Sequence, residues 1–176
     1  FEGYRPFVAS FGSFITGKHS EIRNTVSYNN ASVVIVGTHC GLIGSDGATQ
    51  SALQDIAIMT SMPFFEVFQP CSPLDTEEII KYATKSKKPT YIRVPRNEIE
   101  EIFGKKHKFK IGVPNEIIQG NNTLIISSGA MVSNCFKAIK KINDNKIGLV
   151  NISSIKPLDH KKVINIINKY KKIIVV

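Results

Sequence analysis

The residue types best suited to chemistry crowd into one stretch, Gly37-Thr-His-Cys-Gly-Leu-Ile-Gly-Ser-Asp-Gly-Ala-Thr-Gln50. It leaves an apolar run, Val33 to Gly37, that reads as a buried strand, and it leads into a helical pattern. Open α/β sheets bind ligands at such a place. Four glycines permit close backbone approach or positive φ. His39, Cys40, Ser45, Asp46, Thr49 and Gln50 supply polar groups ahead of a helix start, whose free N–H groups attract anions. The spacing matches neither GxGxxG nor a P-loop, so a plain connection with Thr49 as N-cap fits the composition equally well. His39 beside Cys40 raises a thiolate nucleophile or a metal-ligand pair, but neighbours on one loop rarely meet the geometry of either. Arg93 and Arg96 flank Val94-Pro95 at the end of another strand. One of them can reach the same sheet edge and grip an anionic group through its planar fork, with an ordinary surface ion pair as the competing reading. Phe11 and Phe14 are spaced either to stack on a flat ring or to pack as core aromatics.

The elements that must position these groups alternate. Pro6 to Phe11 reads as a strand, and residues 12–28 follow as a helix with Phe14, Ile15, Ile22 and Val26 on its apolar side. The strand Val33 to Gly37 is next, then a helix from Gln50 to Ser61 with Leu53, Ile56, Ala57 and Met59 as its stripe. Phe64 to Phe68 is a strand, and Thr76 to Thr84 is a helix capped by Asp75 or Thr76, with Glu77 and Glu78 in its first turn. Thr90 to Arg93 closes the block as a strand. Periodicity fails from Pro95 to Gly120, which holds Gly104, Gly112, Pro114 and the basic run Lys105 to Lys110, so a connection between domains is expected there. Beyond it come a strand (Thr123 to Ser127), a helix (Ala130 to Ile142), a strand (Lys146 to Asn151), a helix (Asp159 to Lys169) and a terminal strand. Alternating strands and helices are the signature of parallel βα units.

Composition agrees with a packed α/β fold. The 176 residues are 42% hydrophobic and 21% charged, which excludes disordered, collagen-like and coiled-coil classes. No apolar run is long enough to span a bilayer, and no signal sequence opens the chain. The chain begins at Phe1 and runs out in Ile173-Ile-Val-Val176, so a longer parent is expected. Residues 1–79 carry 3 basic and 8 acidic side chains, residues 80–176 carry 20 and 6. The lysines sit among Ile and Asn over several predicted helices, which describes a solvated surface better than a nucleic-acid face. Cys40, Cys71 and Cys135 are odd in number and widely spaced, which argues against a disulfide framework and against paired zinc ligands and makes a reducing cytoplasm the expected compartment.

Ordered stretches of the sequence resemble transketolase-type thiamine diphosphate enzymes. They are Arg5-Pro-Phe-Val-Ala-Ser-Phe-Gly-Ser-Phe14, Glu21-Ile-Arg-Asn24, Gly44-Ser-Asp-Gly-Ala-Thr-Gln50, Leu53-Gln-Asp-Ile-Ala-Ile-Met59, Gln69-Pro70, Tyr91-Ile-Arg-Val-Pro-Arg96 and Ile155-Lys-Pro-Leu-Asp159. Each is modest alone, but together and in order they cover most of the chain. The resemblance implies an N-terminally truncated pyrimidine-binding domain with a parallel sheet (1–96), a linker (97–120) and the start of an α/β C-terminal domain (121–176).

It also implies roles. Phe11 and Phe14 would form the slot for the aminopyrimidine ring of thiamine diphosphate. Asp46 would bind substrate hydroxyls, Arg96 the substrate phosphate, and His39 and Gln50 would face the substrate. Gln50 stands where family members usually carry a histidine, and an amide cannot transfer a proton. The glutamate that activates the cofactor is expected upstream of Phe1, with Glu2 wrongly placed to replace it. The magnesium and diphosphate site is expected on a domain not in this chain, and no metal site within it. The implied function is transfer of a two-carbon ketol unit between phosphorylated sugars, by a homodimer or with a complementary thiamine-diphosphate-binding subunit, without nucleic acid or membrane. Alternatives are deoxyxylulose-phosphate synthase, a 2-oxo acid dehydrogenase beta subunit, or a non-catalytic scaffold of the same fold. The fragment alone is expected to be inactive.

Overall fold

β-branched and aromatic runs form the strands, as their fit to a pleated buried surface requires. In a computed structural model, which describes residues 2–42, 44–104 and 107–176, the chain divides into two units. The first comprises residues 1–68 and 79–98, the second residues 69–78 and 99–176. Ile43, in the glycine-rich loop, and Lys105 and Lys106, in the basic run, lie outside the described residues.

In the first unit, β1 (Phe7–Phe11), β2 (Val34–Thr38), β3 (Glu66–Phe68) and β4 (Thr90–Arg93) lie in the order β1-β2-β4-β3, all parallel. Parallel strands are covered on both faces and therefore read as continuous apolar runs. Val34, Val67, Phe68, Tyr91 and Ile92 are accordingly buried, while edge strand β1 leaves Phe7 and Val8 exposed.

The helix expected over residues 12–28 is broken. It becomes α1 (Gly12–Gly17), α2 (His19–Glu21) and a π-helical turn, Ile22–Ser27, with Lys18 out of helical conformation between the first two. Gly17 at the break is a poor helix residue. Ile15 is buried as expected, but Phe14 is 54% exposed. The helix expected from Gln50 begins only at Asp55. A single 3-10 turn, Ala48–Gln50, precedes α3 (Asp55–Ser61). Leu53 therefore faces out, 64% exposed, and Asp55 and Met59, one turn apart, are the buried pair. Helix α4 (Pro73–Lys85) starts earlier than its periodicity suggested. Ser72 caps it, its Oγ accepting the Asp75 N–H at 3.2 Å, and Pro73 occupies the first helical position, where a missing N–H costs nothing.

The buried carboxylate of Glu66 belongs to the opposite, amino end of the strands. It accepts hydrogen bonds from Tyr82 Oη (2.7 Å) and Ser86 Oγ (2.8 Å), while Arg5 donates to Thr90 Oγ1 at 2.9 Å and Ser32 Oγ at 2.8 Å. Buried polar groups satisfied in this way serve architecture.

The second unit carries β5 (Asn115–Ile118), β6 (Thr123–Ser127), β7 (Ile147–Asn151), β8 (Ser154–Lys156) and β9 (Lys172–Val175). Four of these form a sheet in the order β5-β7-β6-β9, parallel except for β5 on β7. Strand β5 falls inside the stretch 97–120 read as a connection. Alternation along β7 sends Leu149 and Val150 to opposite faces. Leu149 packs with Val132, Cys135 and Ile139 of α5 (Met131–Ile142), and Val150 with Leu124 and Ile166 of α6 (His160–Ile167). Asn143 ends α5 in the left-handed region, and the Asp159 side chain caps α6 by accepting the Lys162 N–H.

Candidate functional site

The candidate groups of the first unit gather at the carboxyl ends of its strands because β1, β2 and β4 run the same way. Phe11 pairs with Thr38, and Gly37 pairs with Arg93. Residues just past these positions therefore leave one edge together. His39 follows β2 directly in a left-handed conformation (φ +54) that non-glycine residues seldom adopt. Its ring stacks on Phe11, centroids 4.0 Å apart and planes 12° apart, and Phe11 stacks on Phe14 at 5.4 Å and 11°. His39 Nδ1 lies 3.0 Å from Thr38 Oγ1. The result is a column of three rings ending in exposed Phe14, rather than two aromatics in a core. Gly12 makes this possible. It starts α1 so close to the loop that a Cβ there would collide with Cys40 Sγ, and Phe14 is carried out half a turn later.

The glycine-rich loop turns through positive φ at Gly44 (+67) and Gly47 (+86) and presents Asp46 between them. Arg96 comes from the segment after β4, which is tied to the loop by the Val94 N–H to Gly37 O bond (2.9 Å) and the Cys40 N–H to Val94 O bond (3.3 Å). Arg96 Nε stands 3.4 Å from Asp46 Oδ2, and its Nη1 donates to Ser45 Oγ. The Asp46 contact is at ion-pair distance without hydrogen-bond geometry, so Oδ2 retains its accepting capacity. A partly exposed pair of this kind adds little stability. Its chemical value is a guanidinium fork for an anion beside a carboxylate for a hydroxyl. Gln50 belongs to neither grouping. It ends the 3-10 turn with its Oε1 taking the Thr49 hydroxyl.

Under this edge lies a network that motif reading missed. Asp55 Oδ2 accepts from Tyr91 Oη and from Arg93 Nε, each at 2.9 Å, and Tyr91 Oη is 3.5 Å from Cys40 Sγ. Asp55 and Tyr91 are fully buried. A Cβ at Gly37 would strike the Tyr91 hydroxyl, which is why glycine ends β2's apolar run. Burial pushes the Cys40 thiol up to about 12, and burial likewise raises Tyr91. Both stay protonated near neutral pH, which removes Cys40 as a nucleophile. Of the two arginines considered, Arg93 is committed to Asp55, so Arg96 is the one available to an external anion. The sequence did carry a signal for this network, an aspartate within an apolar helical stripe, since a carboxylate there must find a buried partner. Among the described residues no cluster of His, Cys, Asp and Glu is arranged to hold a metal, and no helix is long and apolar enough to cross a membrane.

Comparison with known proteins bears on this arrangement. The family model "Transketolase, pyrimidine binding domain" matches residues 1–101, and "Transketolase, C-terminal domain" matches residues 115–176. A putative transketolase C-terminal section of Methanocaldococcus jannaschii is 34% identical over 175 residues, 96% of this chain and 54% of that protein. The 1-deoxy-D-xylulose-5-phosphate synthase of Clostridium perfringens is 29% identical over 172 residues, 96% of this chain and 28% of that enzyme. Among solved structures, a split-gene transketolase described as an inactive beta4 tetramer superposes with a TM-score of 0.89 at 28% identity, covering 99% of this chain and 58% of that one. The chain thus spans between about a quarter and little more than half of the length of the relatives it matches.

Proposed function

The chain belongs to the transketolase family, and on that premise we propose that it supplies the pyrimidine-facing and sugar-facing part of a thiamine diphosphate enzyme that moves a two-carbon ketol unit between phosphorylated sugars. The observation that carries this reading is the ring column ending in exposed Phe14 at the same strand edge as Asp46 and Arg96. The column fits the cofactor's pyrimidine, because an exposed aromatic face holds a second ring by offset stacking. Thiamine diphosphate, when bound, supplies the electron sink that two-carbon transfer requires.

The chain's own residues then bind and orient. Arg96 exchanges its Asp46 contact for the substrate phosphate, where its fork makes two parallel charge-assisted bonds. Asp46, released, accepts a sugar hydroxyl. His39 has Nδ1 held by Thr38, leaving Nε2 as its remaining polar atom for the substrate. Gln50 contributes hydrogen bonds and no proton transfer, so any relay through that position is absent. The activating glutamate, the diphosphate and magnesium are assigned to upstream residues or to a complementary subunit, and the working enzyme to a dimer or larger assembly. The putative transketolase C-terminal section and the split-gene transketolase among its relatives support that division.

A second reading, condensation of pyruvate with an aldose phosphate, is favoured by the synthase relative. One experiment separates them. The chain is mixed with a complementary thiamine-diphosphate-binding subunit and offered a ketose phosphate plus an aldose phosphate or, separately, pyruvate plus an aldose phosphate. Ketose turnover that collapses in Arg96→Gln and rises in Gln50→His is the expected result. Turnover only of the pyruvate and aldose phosphate mixture would establish the second reading. No turnover in an assembled, cofactor-loaded complex would make the chain a scaffold.

A further inference from the structure

The second unit holds a cavity of about 840 Å³, within the range of small-molecule sites, and its wall is more polar than packing requires. Asp75, buried in the first turn of α4, takes three donors. These are the Cys71 N–H at 3.1 Å and Ser153 Oγ at 2.5 Å on Oδ2, and His107 Nε2 at 2.9 Å on Oδ1. Asn151 Nδ2 donates to Ser153 Oγ at 2.6 Å, and Asn115 Nδ2 stands 3.4 Å from His107 Nδ1. The direction of this chain is determined. Ser153 spends its only proton on Asp75, so its oxygen can take only the N–H end of the Asn151 amide. Asn151 Oδ1 is thereby left without a donor, although the residue is 1% exposed and lines the cavity. Buried acceptors in native proteins are paired with protein, water or ligand.

The charged groups on the wall point to the other half of the ligand. Lys108 and Lys110 line the cavity from exposed positions, against the single carboxylate of Asp75, whose oxygens are already occupied. We infer that this cavity binds a small phosphorylated molecule, its phosphate at Lys108 and Lys110 and a hydroxyl or amino group donating to Asn151 Oδ1. Nucleoside phosphates and sugar phosphates share that chemistry. The inference stands on the second unit alone and does not depend on the ketol-transfer reading.

The test is binding by the full chain, read by calorimetry and by heteronuclear NMR of the second unit, with AMP, ribose 5-phosphate, ribose and inorganic phosphate as probes. At least one phosphate ester is expected to bind with a dissociation constant of about 1 mM or below. It should shift the Asn151 side-chain amide signals, with AMP and ribose 5-phosphate separating the two sources. The Lys108→Glu/Lys110→Glu variant, altered only at exposed positions, should weaken binding about tenfold or more. Asn151→Ala should weaken the ester while leaving inorganic phosphate unchanged. Arg96→Ala should leave the second-unit shifts intact. The inference is overturned if no probe binds the folded chain at about 10 mM, or if inorganic phosphate binds as tightly as the esters. It is also overturned if binding is lost in Arg96→Ala and kept in the lysine variant. Because every readout is binding, failure of ketol transfer leaves this result unaffected.

Discussion

Asp55→Ala is expected to be among the most destabilising single changes in the first unit. The substitution leaves the Tyr91 hydroxyl fully buried with only Cys40 Sγ at 3.5 Å, and strands an Arg93 side chain that is 17% exposed. An orphaned buried hydroxyl costs roughly 1–3 kcal/mol. Breaking a fully buried ion pair costs about 3–5 kcal/mol, but Arg93 retains some water, so the lower end applies and part of it is shared with the hydroxyl. A total near 3 kcal/mol follows, which at an m-value of about 2 kcal/mol/M lowers the urea midpoint by about 1.5 M. Because the two units need not unfold together, the transition should be followed residue by residue, through hydrogen exchange of β2 and β4 amides. Asp55→Leu/Arg93→Met, which replaces the ion pair with apolar groups, should recover the share of the loss due to Arg93 while leaving the share due to the Tyr91 hydroxyl. A cost below about 1 kcal/mol, or a double variant as unstable as the single one, would refute the claim that this buried network stabilises the first unit.

Three further outcomes are expected. Phe14→Ala should leave stability nearly unchanged, since the ring is 54% exposed, but weaken thiamine diphosphate binding in the complete assembly roughly threefold to tenfold, as loss of about 1 kcal/mol of stacking implies; equilibrium dialysis would detect an unchanged affinity. Alkylation of Cys40 and Cys71 by iodoacetamide should be very slow in the native chain and rapid in denaturant, because burial raises both thiols, Cys40 to about 12; fast labelling at pH 8 would contradict their placement. Asp159 has its pKa lowered, chiefly by the Lys162 N–H it accepts, so its cap on α6 is fully present above the ordinary carboxylate range and is lost as pH falls through the depressed value. Asp159→Asn should therefore flatten the acid limb of the stability curve while leaving its neutral region little changed, and an acid limb identical in variant and parent would count against the cap.

How much of this was legible in the sequence depends on the range of the forces involved. Strands β1–β4, β6, β7 and β9 were readable because burial of a parallel sheet imposes continuous apolar runs, a pattern carried by adjacent residues, whereas the short β5 and β8 carry no such run. Phe11, Phe14, Asp46 and Arg96 stand out as candidates by type and by family motif. The turn glycines around Asp46 were also legible, since positive φ constrains residue choice locally. Tertiary structure decided the rest. Whether Phe14 faced solvent or core depended on the break at Lys18 and on the closeness of Gly12 to Cys40, a contact between residues far apart in the chain. Periodicity put Leu53 on the buried face, but the helix starts only at Asp55, whose carboxylate is held by Arg93 and Tyr91, and Leu53 is exposed. His107 and Asn115 lay in a stretch without periodicity, yet they help build the buried polar wall around Asp75. Asp75 and Ser153, which meet there, stand 78 residues apart. A hydrogen bond between two such buried groups leaves no local pattern, because its geometry is set only when the sheet and its helices bring the residues together.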